Sequence, residues 1–307
     1  MHPRSSERKT VSPKNPVEPT PLAIAAVILA NAALAFGPWF VRLADVGPVS
    51  SAFWRIALAA PLLAGAALAT GWRPSRNTGA GGLSGLLWAM IAVGGVCFAA
   101  DLASWHLGIL RTTLANATLF GNCAILMFPI YGFLAARSWP TRIQGIALLL
   151  ATVGAVLLMG RSYQLDPRNL AGDMLCLLAG VLYTGYFILM ARARATLPPV
   201  PALALSTLAS ILPLLLFALL LGETMWPTHW GPLVGLALVS QVIGQGLMLF
   251  ALGKLPPLVV GLALLVQPVV GATIGWTVYG EKLGLPDLFG ASLVAVALVL
   301  VSRRARD

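Results

Sequence analysis

The sequence predicts an all-α polytopic membrane protein with ten transmembrane helices in a 5+5 inverted repeat. Three observations carry that expectation. First, 10% of residues are charged and 58% are apolar, with a mean hydropathy of +0.87, whereas a soluble domain carries about 25% charged residues. Second, the chain holds ten apolar runs, each near the roughly 20 residues that a helix rising about 1.5 Å per residue needs to cross a bilayer. Third, one polar stretch, Arg161 to Asp173, divides these runs into five and five. An odd number of spans on each side makes the second half enter the membrane from the opposite face.

Taken in order, residues 1–21 are rich in Pro, Ser and charge and read as a disordered cytoplasmic tail. The first five-helix repeat, 22–160, holds spans at 22–42, 49–70, 83–107, 112–136 and 141–160. Residues 161–173 form a periplasmic linker and the start of helix 6. The rest of the second repeat, 174–307, completes spans at 170–191, 199–221, 230–252, 257–280 and 285–302 and ends in a short basic cytoplasmic tail. The first run is read as a retained span. A cut after Ala33-Leu-Ala35 would leave nine spans and destroy the symmetry. Connections are short and marked by Gly and Pro, as at Gly47-Pro48, Leu197-Pro-Pro-Val200 and Leu255-Pro-Pro-Leu258, which makes neighbouring spans antiparallel.

Charge orients the bundle. With both termini inside, the cytoplasmic segments hold fourteen basic residues, among them Arg73, Arg76, Arg137, Arg142, Arg192, Arg194 and Lys254. The outside holds five, Arg42, Arg111, Arg161, Arg168 and Lys282, and Arg55 lies within a span. That asymmetry places both ends of a multi-pass membrane protein in the cytoplasm. The +10 net charge is spread between apolar runs rather than over one face, which argues against a nucleic-acid partner. The lipid bilayer is the expected surrounding. Cys97, Cys123 and Cys176 all lie in apolar runs without Cys-x-x-Cys spacing, so they read as packing residues.

Enzymatic chemistry finds little support. Gly79-Ala-Gly-Gly82 lacks the spacing and the preceding strand of a phosphate loop. His2, His106 and His229 stand singly, and no nucleophile motif accompanies them. Neither a metal nor a cofactor is expected.

Particular residues suggest a family. Gly47-Pro-Val-Ser-Ser-Ala-Phe-Trp-Arg55 enters span 2, and Gly172-Asp173 opens span 6. Pro268 precedes Tyr279-Gly-Glu-Lys-Leu283 and Gly290 across spans 9 and 10. On these motifs the chain resembles the EamA branch of the drug/metabolite transporter superfamily over nearly its whole length. In the first half Gly145 matches Gly290, but Ala136 and Arg137 stand where Glu281 and Lys282 would, and Cys123 where Pro268 would. The resemblance implies export of small metabolites through a central cavity, with spans 5 and 10 peripheral. Within the family the chain looks most like the bacterial aromatic amino-acid exporters.

Polar groups inside a bilayer are costly and usually face a bundle interior or a wet cavity. Span 1 offers Asn31, Ala35 and Trp39 at four-residue intervals, on one face of a continuous helix. Span 3 offers Cys97, Asp101 and Trp105; span 4 offers Thr118 and Asn122, with Asn116 on another face. Tyr183 and Tyr186 lie in span 6, Gln241 and Gln245 in span 8, and Gln267 in span 9. The candidate substrate-binding residues are thus Asn31, Trp39, Asp101, Trp105, Asn122, Tyr183, Tyr186, Gln241, Gln245 and Gln267. Amides also join helices through hydrogen bonds worth roughly 0.6–2 kcal/mol, and aromatic residues near span ends also form interfacial belts. Arg55 and Asp101 lie about six residues below the outer ends of spans 2 and 3. They are candidates for an ion pair or a coupling site.

Neutral amides, aromatic rings and few charges suit a solute with a polar head and an apolar body. The expected function is secondary transport by alternating access, exporting small metabolites, amino acids foremost and aromatic or other apolar ones among them. A proton is a candidate co-substrate, and nothing in the sequence specifies an oligomeric state. The alternatives are multidrug efflux and, from another class, a membrane enzyme acting on lipid carriers.

Overall fold

The computed structural model describes residues 20–72, 84–112, 117, 120–160, 167–279 and 284–304. The expected tail through residue 19, Arg73, Arg76, the Gly79 to Gly82 connection, Asn116, Thr118, Arg161, Glu281, Lys282 and Arg306 lie outside the described residues.

The described residues are helical or irregular and contain no strand. Helix α1 (Pro21–Leu34) starts where the Thr20 hydroxyl accepts the Ala23 N–H at 3.3 Å with Pro21 in the first turn. It is followed by α2 (Gly37–Leu43), α3 (Pro48–Ala69) and α4 (Gly85–Ile109). Ser84 caps α4 through the Leu87 N–H at 3.2 Å. Next come α5 (Ala124–Ala136) and α6 (Arg142–Gly160). A reciprocal capping box opens α6: Gln144 accepts from Thr141 N–H at 2.8 Å, and Thr141 accepts from Gln144 N–H at 3.4 Å. The second half holds α7 (Leu170–Ala193), α8 (Pro199–Leu220), α9 (Gly231–Leu252), α10 (Pro257–Ala263), α11 (Val266–Tyr279) and α12 (Leu285–Arg304).

Among the described residues, seven helices are long and apolar enough to cross a membrane, and three apolar helices are shorter. The seven are Pro21–Leu43, α3, α4, Pro167–Ala193, α8, α9 and Pro257–Val278. The shorter ones, Ala124–Ala136, Arg142–Leu157 and Leu288–Val301, occupy the fourth, fifth and tenth predicted runs. This is a multi-pass membrane protein.

Helix α4 lies at the centre, packed along α7 and α8, while α3 runs along α8 and touches α9. Glycine makes the central contacts close. A Cβ on Gly95 would sit 3.0 Å from the Ala209 carbonyl carbon and 3.1 Å from Ser206 O, so α4 meets the α8 backbone directly. Helix α1 packs on α9 and α5 on α10, and α6 and α12 pair at the edge. Leu62, Leu149, Leu212, Leu220 and Leu285 are exposed, whereas Asn31, Arg55, Asp101, Gln241 and Gln245 are buried. An apolar exterior around a polar centre fits a lipid surrounding.

Among the described residues four spans are irregular where the sequence suggests continuous helices. The fourth predicted run is one of them, tightening into i→i−3 bonds before α5 (Cys123 N to Phe120 O at 3.2 Å, Ile125 N to Asn122 O at 2.9 Å). The first breaks between α1 and α2, where Pro38 has no N–H to return to Leu34 O. The break separates Trp39 from the helix that carries Asn31. Between α10 and α11 the chain tightens into i→i−3 bonds, Leu265 N to Leu262 O at 3.1 Å and Gln267 N to Leu264 O at 3.1 Å, just before Pro268. In α9, residues Leu236–Gln245 form a π-helix between two α-helical ends. Its one glycine meets the first span closely: a Cβ on Gly244 would lie 3.0 Å from the Leu34 side chain.

Candidate functional site at the centre of the bundle

The polar centre is assembled from five helices. Arg55 projects from α3, and its Nε donates to Gln241 Oε1 at 3.1 Å. Gln241, on the π segment of α9, donates through Nε2 to Thr207 Oγ1 on α8 at 3.0 Å. One turn further, Gln245 Nε2 donates to the Tyr183 hydroxyl on α7 at 3.0 Å. Tyr186 lies 3.4 Å from Ser206 Oγ on α8. The Arg55 guanidinium stands over the Phe98 ring of α4, 5.8 Å from its centroid. Phe98 stacks with Tyr186 at 4.6 Å and with Tyr183 at 6.3 Å. A cation bordered by aromatic faces is favoured electrostatically.

Asp101, one turn beyond Phe98 on α4, is buried within electrostatic range of Arg55, Tyr183 and Tyr186. The two charges do not form the predicted direct ion pair: no contact within 4.0 Å joins them among the described residues. The fold thus brings Arg55, Asp101, Tyr183, Tyr186, Gln241 and Gln245 into one cluster. Asn31 and Gln267 form a separate bridge, with Gln267 Nε2 donating to Asn31 Oδ1 at 2.8 Å and Asn31 Nδ2 donating to Val27 O at 2.8 Å. Trp105 lies between two backbones: a Cβ on Gly121 would be 3.1 Å from its Nε1, and one on Gly37 would be 3.9 Å from its ring. Trp39 packs on Phe36 and Phe40 at 6.3 and 5.4 Å. Asn122 makes no side-chain hydrogen bond among the described residues.

Several contributors were not singled out from sequence. Thr207 and Ser206 complete the amide and tyrosine contacts, and Ser210 Oγ crosses to Gly95 O at 2.8 Å. Ser206 and Ser210 lie one turn apart on α8, a periodicity visible in the sequence. His106 Nδ1 lies 2.9 Å from both Ser51 Oγ and Pro48 O, which links α4 to the start of α3. Three buried polar atoms have no partner among the described residues: His106 Nε2, Ser240 Oγ and Gln245 Oε1. Such atoms are uncommon in folded proteins and call for a reason.

A clasp closes the N-terminal end of α3. Glu223, in the turn after α8, accepts from Ser50 N–H at 2.8 Å and Val49 N–H at 3.2 Å, a carboxylate placed on the positive end of a helix. Trp54 Nε1 donates to Met225 O at 2.6 Å, and Trp54 packs on Trp226 and Trp230. Asp45 accepts from the Thr228 hydroxyl and from His229 N–H at 3.1 Å. The Thr228 hydroxyl bond holds the Asp45 carboxyl down at about 2. At the opposite end of α9, Arg194 Nε donates to Leu249 O at 2.8 Å, a cation on carbonyls of a helix C-terminus.

An apolar helical bundle around a buried cluster of charges, amides and rings defines a polytopic membrane protein with a polar centre. Residues 170–303 match the EamA-like transporter family. The chain is 27% identical over 157 residues to the threonine/homoserine exporter RhtA of Salmonella typhimurium (strain SL1344), covering 50% of this chain and 52% of that one. It is 28% identical over 153 residues to RhtA of Escherichia coli (strain K12), covering 49% and 51%. The chain thus spans about half the length of these exporters. A solved crystal structure of a protein superposes with a TM-score of 0.75 at 16% identity, over 93% of this chain and 96% of that one, a likeness of fold alone.

Proposed function

We propose that the protein exports small metabolites, amino acids foremost, across the bacterial inner membrane by alternating access. The observation that carries this reading is the buried cluster in which Arg55 and Phe98 of one half meet Tyr183, Thr207, Gln241 and Gln245 of the other. A solute held there touches both halves, so their relative movement can open the site to either side. Charges of both signs, amides and aromatic faces suit an amino acid, and the relatives named as threonine/homoserine exporters support that class.

The proposed frame is ten spans in a 5+5 inverted repeat, with residues 22–160 and 174–307 as its main parts and both termini cytoplasmic. The helix pairing is consistent with such symmetry. The contacts α3 with α8, α5 with α10, and α6 with α12 each join counterparts, while α4 with α7 corresponds to α9 with α1.

Counterflow in liposomes containing the purified protein tests the function. Labelled threonine, homoserine or phenylalanine should accumulate against preloaded unlabelled amino acid. Repeating the assay with a pH gradient decides whether a proton is coupled. Absence of amino-acid counterflow together with efflux of lipophilic dyes would replace this reading with drug efflux. For orientation, a single cysteine at Thr196 should be shielded from an impermeant thiol reagent in intact cells, and one at Ala44 should be labelled.

A further inference from the structure

Arg55 and Asp101 are buried opposite charges on α3 and α4 that are close enough to interact and yet unpaired. Arg55 commits Nε to Gln241 at 3.1 Å. Its two terminal nitrogens have no partner among the described residues, and neither has the Asp101 carboxylate. Next to them, Gln245 spends Nε2 on Tyr183 at 3.0 Å and leaves Oε1 buried without a donor. The centre therefore presents a planar cation with free donors, an anion with free acceptors and one unanswered amide oxygen. Buried charges left apart in this way are unfavourable unless something polar lies between them.

We propose that Arg55, Asp101 and Gln245 hold the zwitterionic head of an amino acid. The Arg55 terminal nitrogens donate to the α-carboxylate in the forked geometry that guanidinium favours. Asp101 and Gln245 Oε1 accept from the α-ammonium. The rings of Phe98, Tyr183 and Tyr186, stacked beside the guanidinium, border the solute's apolar body. This assignment rests on the amino-acid export reading and makes it specific: both head-group charges are required, because losing either strands a buried protein charge.

The test is competition binding with the full-length protein in lipid nanodiscs. L-threonine is compared with 1-amino-2-propanol, which lacks its carboxylate, and with 3-hydroxybutyrate, which lacks its amine. L-phenylalanine is compared likewise with phenethylamine and 3-phenylpropionate. In the wild type each truncated analogue should compete at least about tenfold more weakly than its amino acid, as expected for a lost charge-assisted hydrogen bond. Arg55→Gln should bring the amine to within about threefold of the amino acid while leaving the acid weak. Asp101→Asn should do the reverse. A wild type that binds either analogue within about threefold of its amino acid overturns the assignment. So do variants that lose affinity for all three ligands in equal proportion. Where a variant fails to fold, the wild-type comparison decides alone. Counterflow of amino acids without head-group discrimination sinks only this assignment, whereas a wild type that carries no amino acid sinks the export reading as well.

Discussion

Helices α4 and α9 both border the polar centre, yet they are built differently. Helix α4 is regular over Gly85–Ile109 and lies against α7 and α8 through glycines that leave no space for a Cβ, as at Gly95 and Gly108. Helix α9 has a π-helical middle, Leu236–Gln245, a geometry often found at functional sites. Helix α4 brings a charge, Asp101, which has no hydrogen-bond partner among the described residues. Helix α9 brings amides, each bonded across to another helix at 3.0–3.1 Å. Burial alone therefore does not explain the polar residues: on α9 they tie helices together, while on α4 the acid is left for something else to answer.

The largest effect should come from testing the rigidity of α4. Gly95→Ala places a methyl 3.0 Å from backbone of α8, and overpacking of this kind typically costs about 1–3 kcal/mol; we expect the upper end. Gly246→Ala at the end of the π segment meets only Leu203 Cδ2 at 3.7 Å, so it should shift stability by about 1 kcal/mol or less, in the stabilising direction that alanine favours. Thermal melts of the two purified variants check the contrast, and equal destabilisation would break it.

Next in size is the contrast between amide and acid. Gln241→Leu removes the partner of both Arg55 Nε and Thr207 Oγ1. It should cost about 2–3 kcal/mol, because one of the bonds involves a charged donor. Asp101→Asn breaks no hydrogen bond among the described residues and should stay within about 1 kcal/mol of wild type in melting, while impairing transport. If Asp101→Asn melts as early as Gln241→Leu, the acid is structural and the contrast between the two helices fails.

The clasp gives smaller effects. Glu223→Ala leaves Val49 N–H and Ser50 N–H without their carboxylate and should cost about 1 kcal/mol, the usual value of a lost helix cap. The smallest effect is the pH response of Asp45. Its carboxyl is held near 2, below its ordinary 3.8, so its contribution is complete above about 4 and is lost as pH falls toward 2. The melting difference between wild type and Asp45→Asn should be constant from pH 7 to pH 5 and should shrink only in strong acid. A difference that changes between pH 7 and pH 5 would assign the response to another group.

Much of this organisation was legible one residue at a time. Low charge, long apolar runs and Gly-Pro connections determine that the chain is helical and membrane-embedded, because the hydrophobic requirement of a span is local and additive along the sequence. The same cost of burying polarity marked Asn31, Arg55, Asp101, Tyr183, Gln241, Gln245 and Gln267 as residues needing a partner. Which partner each one has was decided by the tertiary structure alone. Arg55 meets Gln241 across 186 positions of sequence, and Gln267 meets Asn31 across 236; no local pattern encodes such distances. The tertiary structure also wound the middle of α9 into a π-helix and set Arg55 on an amide instead of on Asp101, whereas the break that ends the Asn31 face before Trp39 follows locally from Pro38. Apolar periodicity says that a helix forms, but its backbone register is chosen by the neighbours that pack on it, and those neighbours come from the other half of the chain.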